Sequence, residues 1–283
     1  MDVKKRIFIY YRNSLERAGL KTIGTGSLIC PLCWKEASYD ALTIEHVVPS
    51  SIGGKATVLT CQSCNNRHGS SLDAHLSQYQ RMADALKGHG SIPTVLKING
   101  QRIVANLHLA KQRKDFVVVQ QASDPAAIDA IKDEFNAGRV SEMNCSISFG
   151  YAKSNFQTAV LRAAYLVLFK CFGYEYVKHE IVQIIRLGIA DASLEHPRLS
   201  SLVFVLDDFE SPFDGAHNVL PVTIDDIPSF LVIIRAQKAT ETFLGAFMPA
   251  PIDGSDRFFD VLEKFTKEHD KKRVTIKTGR VFS

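Results

Sequence analysis

Cys30 and Cys33 form one Cys-x2-Cys pair, Cys61 and Cys64 form a second, and between the pairs lies Glu45-His46. Each pair sets two sulfurs on one side of a tight turn, at about the separation that a tetrahedral shell of four thiolates around zinc needs. Such a shell is closed. It leaves no position for water or substrate, so a Zn²⁺ held by Cys30, Cys33, Cys61 and Cys64 is structural, stapling a module too small to bury enough surface unaided. Four of the six cysteines at this spacing favour a metal site in a reducing compartment over a disulfide framework. Cys145 and Cys171 stand alone in apolar surroundings and read as core residues.

Glu45-His46 brings a different chemistry. A hard carboxylate beside an imidazole at a strand end can hold a divalent cation, while the histidine, with a pKa near neutrality, takes a proton from water. Gly53-Gly54 permits a close backbone turn after the dyad, and Asn65, next to the second knuckle, can aim an amide oxygen at the same cation. Three neighbours have two readings or a weaker one. His68 is a further ligand or phosphate contact, or else a solvated helix residue. Asp73 is a carboxylate behind the ligands, or else a helix N-cap. Arg67 is a phosphate contact by its place beside the site.

At these residues the chain resembles the HNH endonuclease family, in the branch with a four-cysteine zinc ribbon and Glu-His in place of Asp-His. The motif runs Glu45-His46-x2-Pro49-x3-Gly53-Gly54, then Cys61-x2-Cys64-Asn65-Asn66-x2-Gly69-Ser70-x2-Asp73. The resemblance implies a ββα-metal fold with His46 as general base, and with Glu45 and Asn65 as ligands of one Mg²⁺, Mn²⁺ or Ni²⁺. The implied reaction is hydrolysis of DNA phosphodiesters to a 5′-phosphate, with restriction or phage defence as the implied setting. The chain departs from the pattern at Ala56, where many members carry the middle Asn that fixes the loop; Thr57 or the backbone must then orient His46. That departure is the support for an alternative, a zinc-ribbon nucleic-acid-binding protein with a decayed nuclease site. Intact Glu45, His46 and Asn65 count against it.

The elements that must position these residues follow from periodicity. Residues 3–18 predict a helix closed by Gly19, with Lys4, Lys5, Arg6, Arg12 and Arg17 around Ile7, Tyr10, Tyr11 and Leu15, either a basic arm or a solvated face. The cysteine module predicts knuckle, strand, loop, strand, knuckle and helix, with a further helix capped by Ser71 or Asp73. The Gly- and Pro-containing stretch from Lys87 to Pro93 reads as a domain boundary. Beyond it, Asn99-Gly100 predicts a hairpin turn, a third strand follows at 116–120, and a helix opens at Pro125. Residues 154–172 predict a central buried helix, and four further strands and a closing helix complete the chain. The expected fold class is therefore α+β: residues 1–27 a basic helix, 28–90 an HNH module with its zinc ribbon, and 91–283 a larger mixed α+β domain for recognition, regulation or oligomerisation.

Composition bounds the partners. With 46% apolar and 23% charged residues, the chain has the balance of an ordinary globular protein. No apolar run is long enough to span a membrane, because Arg162 and Lys170 interrupt the best candidate, and the start leads into no signal-peptide core, so a cytoplasmic protein is expected. The net charge of +4 sits entirely in the first third of the chain, since Lys and Arg balance Asp and Glu beyond residue 87. That is the side expected to meet a polyanion, DNA first and RNA as an alternative. A homodimer would make a double-strand break from one site per chain, and an activating ligand or partner acting on the larger domain is a further expectation. Basic residues from Lys271 to Arg280 suit either phosphate contacts or a solvated edge strand.

Overall fold

The computed structural model describes residues 1–22, 24, 26–109, 116–120, 125–140, 143–147, 150–191, 197–206, 209, 215–251 and 255–269. The basic segment from Lys271 to Arg280 lies outside them. The α+β expectation holds, with helices packed beside antiparallel sheets. The chain folds as two compact units. One comprises residues 1–77, 151–237 and the chain from 241 onward; the other comprises residues 78–150 and 238–240.

The first unit opens with α1 (Val3–Arg17), which buries Tyr11, Ser14 and Leu15. Strands β1 (Ser27–Ile29) and β2 (Glu36–Ser38) pair antiparallel and carry the first knuckle between them. Strands β3 (Leu42–His46) and β4 (Thr57–Cys61) form a second hairpin, followed by α2 (Gln62–Ser71) and α3 (Asp73–Leu86). This is the predicted ββα order. Asp73 is the first residue of α3, in its first turn.

The second unit is built on the sheet β7-β6-β5-β8, from β5 (Ile92–Ile98), β6 (Gln101–Leu109), β7 (Phe116–Gln120) and β8 (Met143–Ile147), with α4 (Pro125–Asn136) between the last two strands. Asn99 and Gly100 both have positive φ, 45° and 83°, as a tight hairpin of right-twisted strands requires.

Returning to the first unit, α5 (Lys153–Phe172) is buried along most of its length. A helix apolar on all sides needs cover on all sides. One side is supplied by β11 (Ile227–Gln237) and β12 (Glu241–Pro249), central in the sheet β10-β11-β12-β9 with β9 (Val203–Leu206) and β10 (His217–Ile224). The short α6 (Tyr174–Val177), α7 (Glu180–Ala190) and α8 (Pro197–Ser200) pack against it, and α9 (Ser255–His269) packs on α7, α8 and β10. Another side is supplied by the cysteine module through β4.

The boundary expected at Lys87–Pro93 lies inside the second unit, where Ile92 and Pro93 already pair with Leu107 and Asn106. The single domain expected over 91–283 is divided, because α5 and the strands after it build a common core with residues 1–77. Cys171 is exposed rather than a core residue, at the end of α5, and the Cys145 side chain lies outside the described residues.

Candidate active site

The four knuckle cysteines converge. Their sulfurs lie within 4.8 Å of one another, and Cys33 and Cys61 Sγ are 3.7 Å apart. A tetrahedron with Zn–S near 2.3 Å has edges of roughly 3.8 Å, so the cluster fits a structural zinc. The Cys61 N–H donates to Cys30 Sγ at 3.4 Å. Hydrogen bonding to Cys30 also holds the Cys33 and Cys61 thiols below the ordinary range, Cys61 at about 5. Cys30 and Cys64 are buried, and Cys33 and Cys61 are half-buried.

The rest of the chain seats this zinc loop. Tyr165 Oη on α5 donates to Pro31 O at 2.7 Å, Tyr174 Oη donates to Ile29 O, and Arg186 Nη1 donates to Leu32 O at 3.3 Å. Turn carbonyls have no partner in a regular ladder, and buried ones need donors. Here side chains from α5, α6 and α7 supply them.

From the zinc loop the chain enters β3, where Glu45 pairs with Val58 and His46 with Thr57. Successive side chains leave opposite faces of a strand. Glu45 is accordingly buried, 2% exposed, while His46 is half-buried on the other face with the exposed Ile44. Backbone hydrogen bonds close the loop after His46: Val47 N donates to Ala56 O at 2.9 Å, and Gly54 N donates to Pro49 O at 3.2 Å. A Cβ on Gly54 would stand 1.8 Å from Val48 O, so only glycine fits there. Ala56 thus contributes its carbonyl where the middle Asn was missed, and the backbone orients the strand end bearing His46.

Helix α2 lies across this hairpin. Asn65 Nδ2 donates to Thr43 Oγ1 at 3.0 Å and to Ile44 O at 3.3 Å, so the second knuckle and the dyad strand are joined through one amide. Residues 30–80 match the HNH endonuclease family. No curated protein and no solved structure matches the chain. The family match covers both knuckles, β3, β4, α2 and the start of α3, and a nuclease-type hydrolase acting on nucleic acid is what that family supports. Among the described residues no helix is long and apolar enough to cross a membrane.

Within the HNH module, the remaining sequence candidates separate. Arg67 is exposed, as a phosphate contact requires. His68 is buried, 2% exposed, and its Nε2 stands 3.5 Å from Arg67 Nη2. Burial, with the nearby Arg67 charge, lowers its pKa to about 4, so it is a neutral interior histidine rather than a solvated helix residue.

Glu45 and Asp73 do come together, through a residue from outside the module. Arg162 on α5 pairs with Glu45 Oε1 through Nη2, and its Nη1 donates to Asp73 Oδ1 at 2.7 Å. Thr60 Oγ1 donates to the other Glu45 oxygen, Oε2. Arg162 and Glu45 side chains are each 1% exposed. Burial pulls the guanidinium down to about 10 and pushes the Asp73 carboxyl up to about 7, while the ion pair at 2.7 Å opposes both shifts and favours the charged forms. His75 holds α3 beside the start of α5, accepting the Ala152 N–H at Nδ1 (3.1 Å) and meeting Asn155 Nδ2 at Nε2 (2.9 Å). That brace helps set Asp73 opposite Arg162.

A catalytic cation held by Glu45 and Asn65 does not fit this arrangement. Both Glu45 oxygens are engaged, one by a guanidinium and one by a hydroxyl, whereas Asn65 donates its amide nitrogen to β3 and keeps its amide oxygen for a cation. Arg162 and Thr60 were not found from sequence. The signal for Arg162 was present: a lone guanidinium in a helix otherwise apolar all round implies a buried partner, since Arg is almost never fully buried unpaired.

Proposed function

We propose that the protein is an HNH-type endonuclease that hydrolyses phosphodiester bonds of DNA, with His46 as the general base. The family match over residues 30–80 carries this reading, because it covers both knuckles, the dyad strand and the Asn65 helix. His46 suits the role by position: it is half-buried at the end of β3, on the face away from the buried Glu45, where water and a phosphate can both reach it. Zn²⁺ in the four-cysteine cluster holds the hairpins that place it. Mg²⁺, or Mn²⁺ or Ni²⁺, is the expected catalytic ion. Arg67 contributes to phosphate binding. Restriction or antiviral defence, a cytoplasmic setting and a homodimer belong to the same proposal.

A second reading has one specific observation behind it. The ion pair that commits Glu45 to Arg162 is what a nucleic-acid-binding zinc ribbon with a decayed nuclease site would tolerate. The two separate by incubating supercoiled plasmid, single-stranded DNA and RNA with zinc-loaded wild type and with His46→Ala, each with EDTA, Mg²⁺, Mn²⁺ or Ni²⁺. Metal-dependent cleavage lost in His46→Ala establishes the nuclease. Zinc-loaded wild type that binds but cuts none of the three substrates leaves the binding protein.

A further inference from the structure

Beyond residue 87 the two signs of charge balance in number, but within the second unit they separate in space. One face of the sheet β7-β6-β5-β8 is turned inward: Ile92, Leu96 and Ile98 of β5 and Leu107 of β6 are buried, and Ala85 of α3 packs with Ile92 and Leu107. The alternate side chains leave the other face. There Lys97 and Arg102 are exposed and stand directly opposite each other on the two central strands, with exposed Asn144 of β8 beside Lys97 in the same row. In the next row Val95 faces Val104, which is 43% exposed. None of the four strands contains an acidic residue. The acidic residues of this unit that the structure describes, Asp84, Asp129, Asp133 and Glu134, are all on α3 or α4. We propose that this open sheet face is a nucleic-acid-binding surface that takes the phosphate backbone of duplex DNA. This rests on the reading of the protein as one that acts on DNA and adds a surface that holds the substrate.

Three observations support a polyanion on this face. The first is unrelieved repulsion. Like charges directly opposite each other destabilise a sheet, and among the described residues neither Lys97 nor Arg102 is in an ion pair, whereas Lys132 and Arg139 of the same unit pair with Asp129 and Glu134. The second is position: lysines that guard a sheet against pairing sit on its edge strands, but β5 and β6 are central. A face kept only for solvation intersperses both signs. A row of phosphates supplies the missing negative charge, while a second copy of this face would bring two more cations and no carboxylate. The third is the lack of stacking platforms. The described side chains of this face include no Phe, Tyr or Trp, on which single strands are held. Lysine, arginine and asparagine side chains suit the phosphate and sugar oxygens of a duplex.

Full-length zinc-loaded protein would be titrated into fluorescein-labelled duplex DNA without added divalent ion, and anisotropy read over a salt series. The variants are Lys97→Gln/Arg102→Gln, the charge-keeping Lys97→Arg/Arg102→Lys, and Lys132→Gln/Arg139→Gln, which removes the same charge where it is already paired. Lys97→Gln/Arg102→Gln should bind at least about fivefold more weakly at low salt, with a salt slope smaller by about two, one for each lost phosphate contact. The charge-keeping variant and Lys132→Gln/Arg139→Gln should bind as wild type does. The thermal midpoint of Lys97→Gln/Arg102→Gln should be no lower than that of wild type, since the two charges repel, so lost binding is not lost folding. Should that variant not fold, Lys97→Gln and Arg102→Gln singly, each expected to reduce the slope by about one, carry the same test. Wild-type affinity and slope in the folded variants would overturn the proposal, as would an equal loss in Lys132→Gln/Arg139→Gln. A wild-type dimer in sedimentation velocity that Lys97→Gln/Arg102→Gln dissociates, with duplex binding intact, would make the face a contact between copies and overturn it too. Cleavage scored with His46→Ala is independent of this binding, so failure of the surface and failure of the nuclease assignment are told apart.

Discussion

Removing the charge from one side of the Glu45–Arg162 pair should cost far more than removing it from both. Both side chains are 1% exposed, so solvent screens neither. Arg162→Met leaves Glu45 and Asp73 facing each other in the core without a counter-charge, a loss of about 3–5 kcal/mol by analogy with other broken buried pairs. Glu45→Gln is milder, roughly 1–3 kcal/mol, because Arg162 keeps Asp73 at 2.7 Å and the Gln amide oxygen can still accept from Thr60. In the double variant Glu45→Gln/Arg162→Met the buried charge is gone except at Asp73, whose side chain is 20% exposed and can reach water. The double variant should therefore be more stable than Arg162→Met alone, with a coupling of at least about 2 kcal/mol across the cycle. Urea unfolding at fixed zinc concentration, followed by far-UV and near-UV circular dichroism, measures all four corners. Additivity within about 0.5 kcal/mol would refute the pair as a buried, mutually dependent unit.

Chelating zinc, or Cys30→Ser, should lower the thermal midpoint and expose the first hairpin to proteolysis before the second unit opens, read by limited digestion and mass spectrometry. Tyr165→Phe deletes the donor to Pro31 O and should destabilise by about 1–3 kcal/mol, with faster zinc release to a chromogenic chelator. His217 has both ring nitrogens buried without a hydrogen-bond partner among the described residues, and burial depresses its pKa from 6.5 to about 4. The unfolded chain then binds the extra proton between those values, so stability rises with pH from 4 to 6.5 and falls as the pH drops; His217→Phe should flatten the urea midpoint across that window. Arg67→Ala, at an exposed position, should leave stability unchanged while reducing the salt slope of DNA binding by about one.

What could be read from the sequence was whatever local chemistry dictates. The knuckles announce themselves by spacing, the Asn99-Gly100 turn by its tolerance of positive φ, and α5 by an apolar surface that only burial explains. β3 and β4 were legible because turn residues flank them, and the dyad because the knuckles bracket it. What was not legible is the pairing of distant side chains. Alternation along β3 puts Glu45 and His46 on opposite faces, but nothing near position 45 says which face meets the core. His68 looked like a solvated helix residue since its neighbours Arg67 and Gly69 are polar or small; its burial depends on what α2 packs against. The expected boundary at 87–93 failed for a related reason: Gly and Pro mark a break in regular structure, and here that break only leads from α3 into β5. The two units are set instead by which segments share a core, and α5 shares one with residues 1–77.

One helix links the two chemistries of the HNH module. Arg162, Tyr165 and Phe169 follow each other at helical spacing on α5, so they form one stripe. Arg162 meets Glu45 and Asp73, Tyr165 meets the zinc loop at Pro31, and Phe169 stacks on Tyr11 of α1 with ring centroids 4.4 Å apart. A stripe used this way cannot slide or rotate to release one partner and keep the others. A zinc ion in the cysteine cluster would fix the loop that Tyr165 grips and, through α5, the seat of Arg162 against Glu45. The four-cysteine cluster and the Glu45 carboxylate, which the sequence separates into two motifs, are held in register by one turn of a helix that neither motif contains.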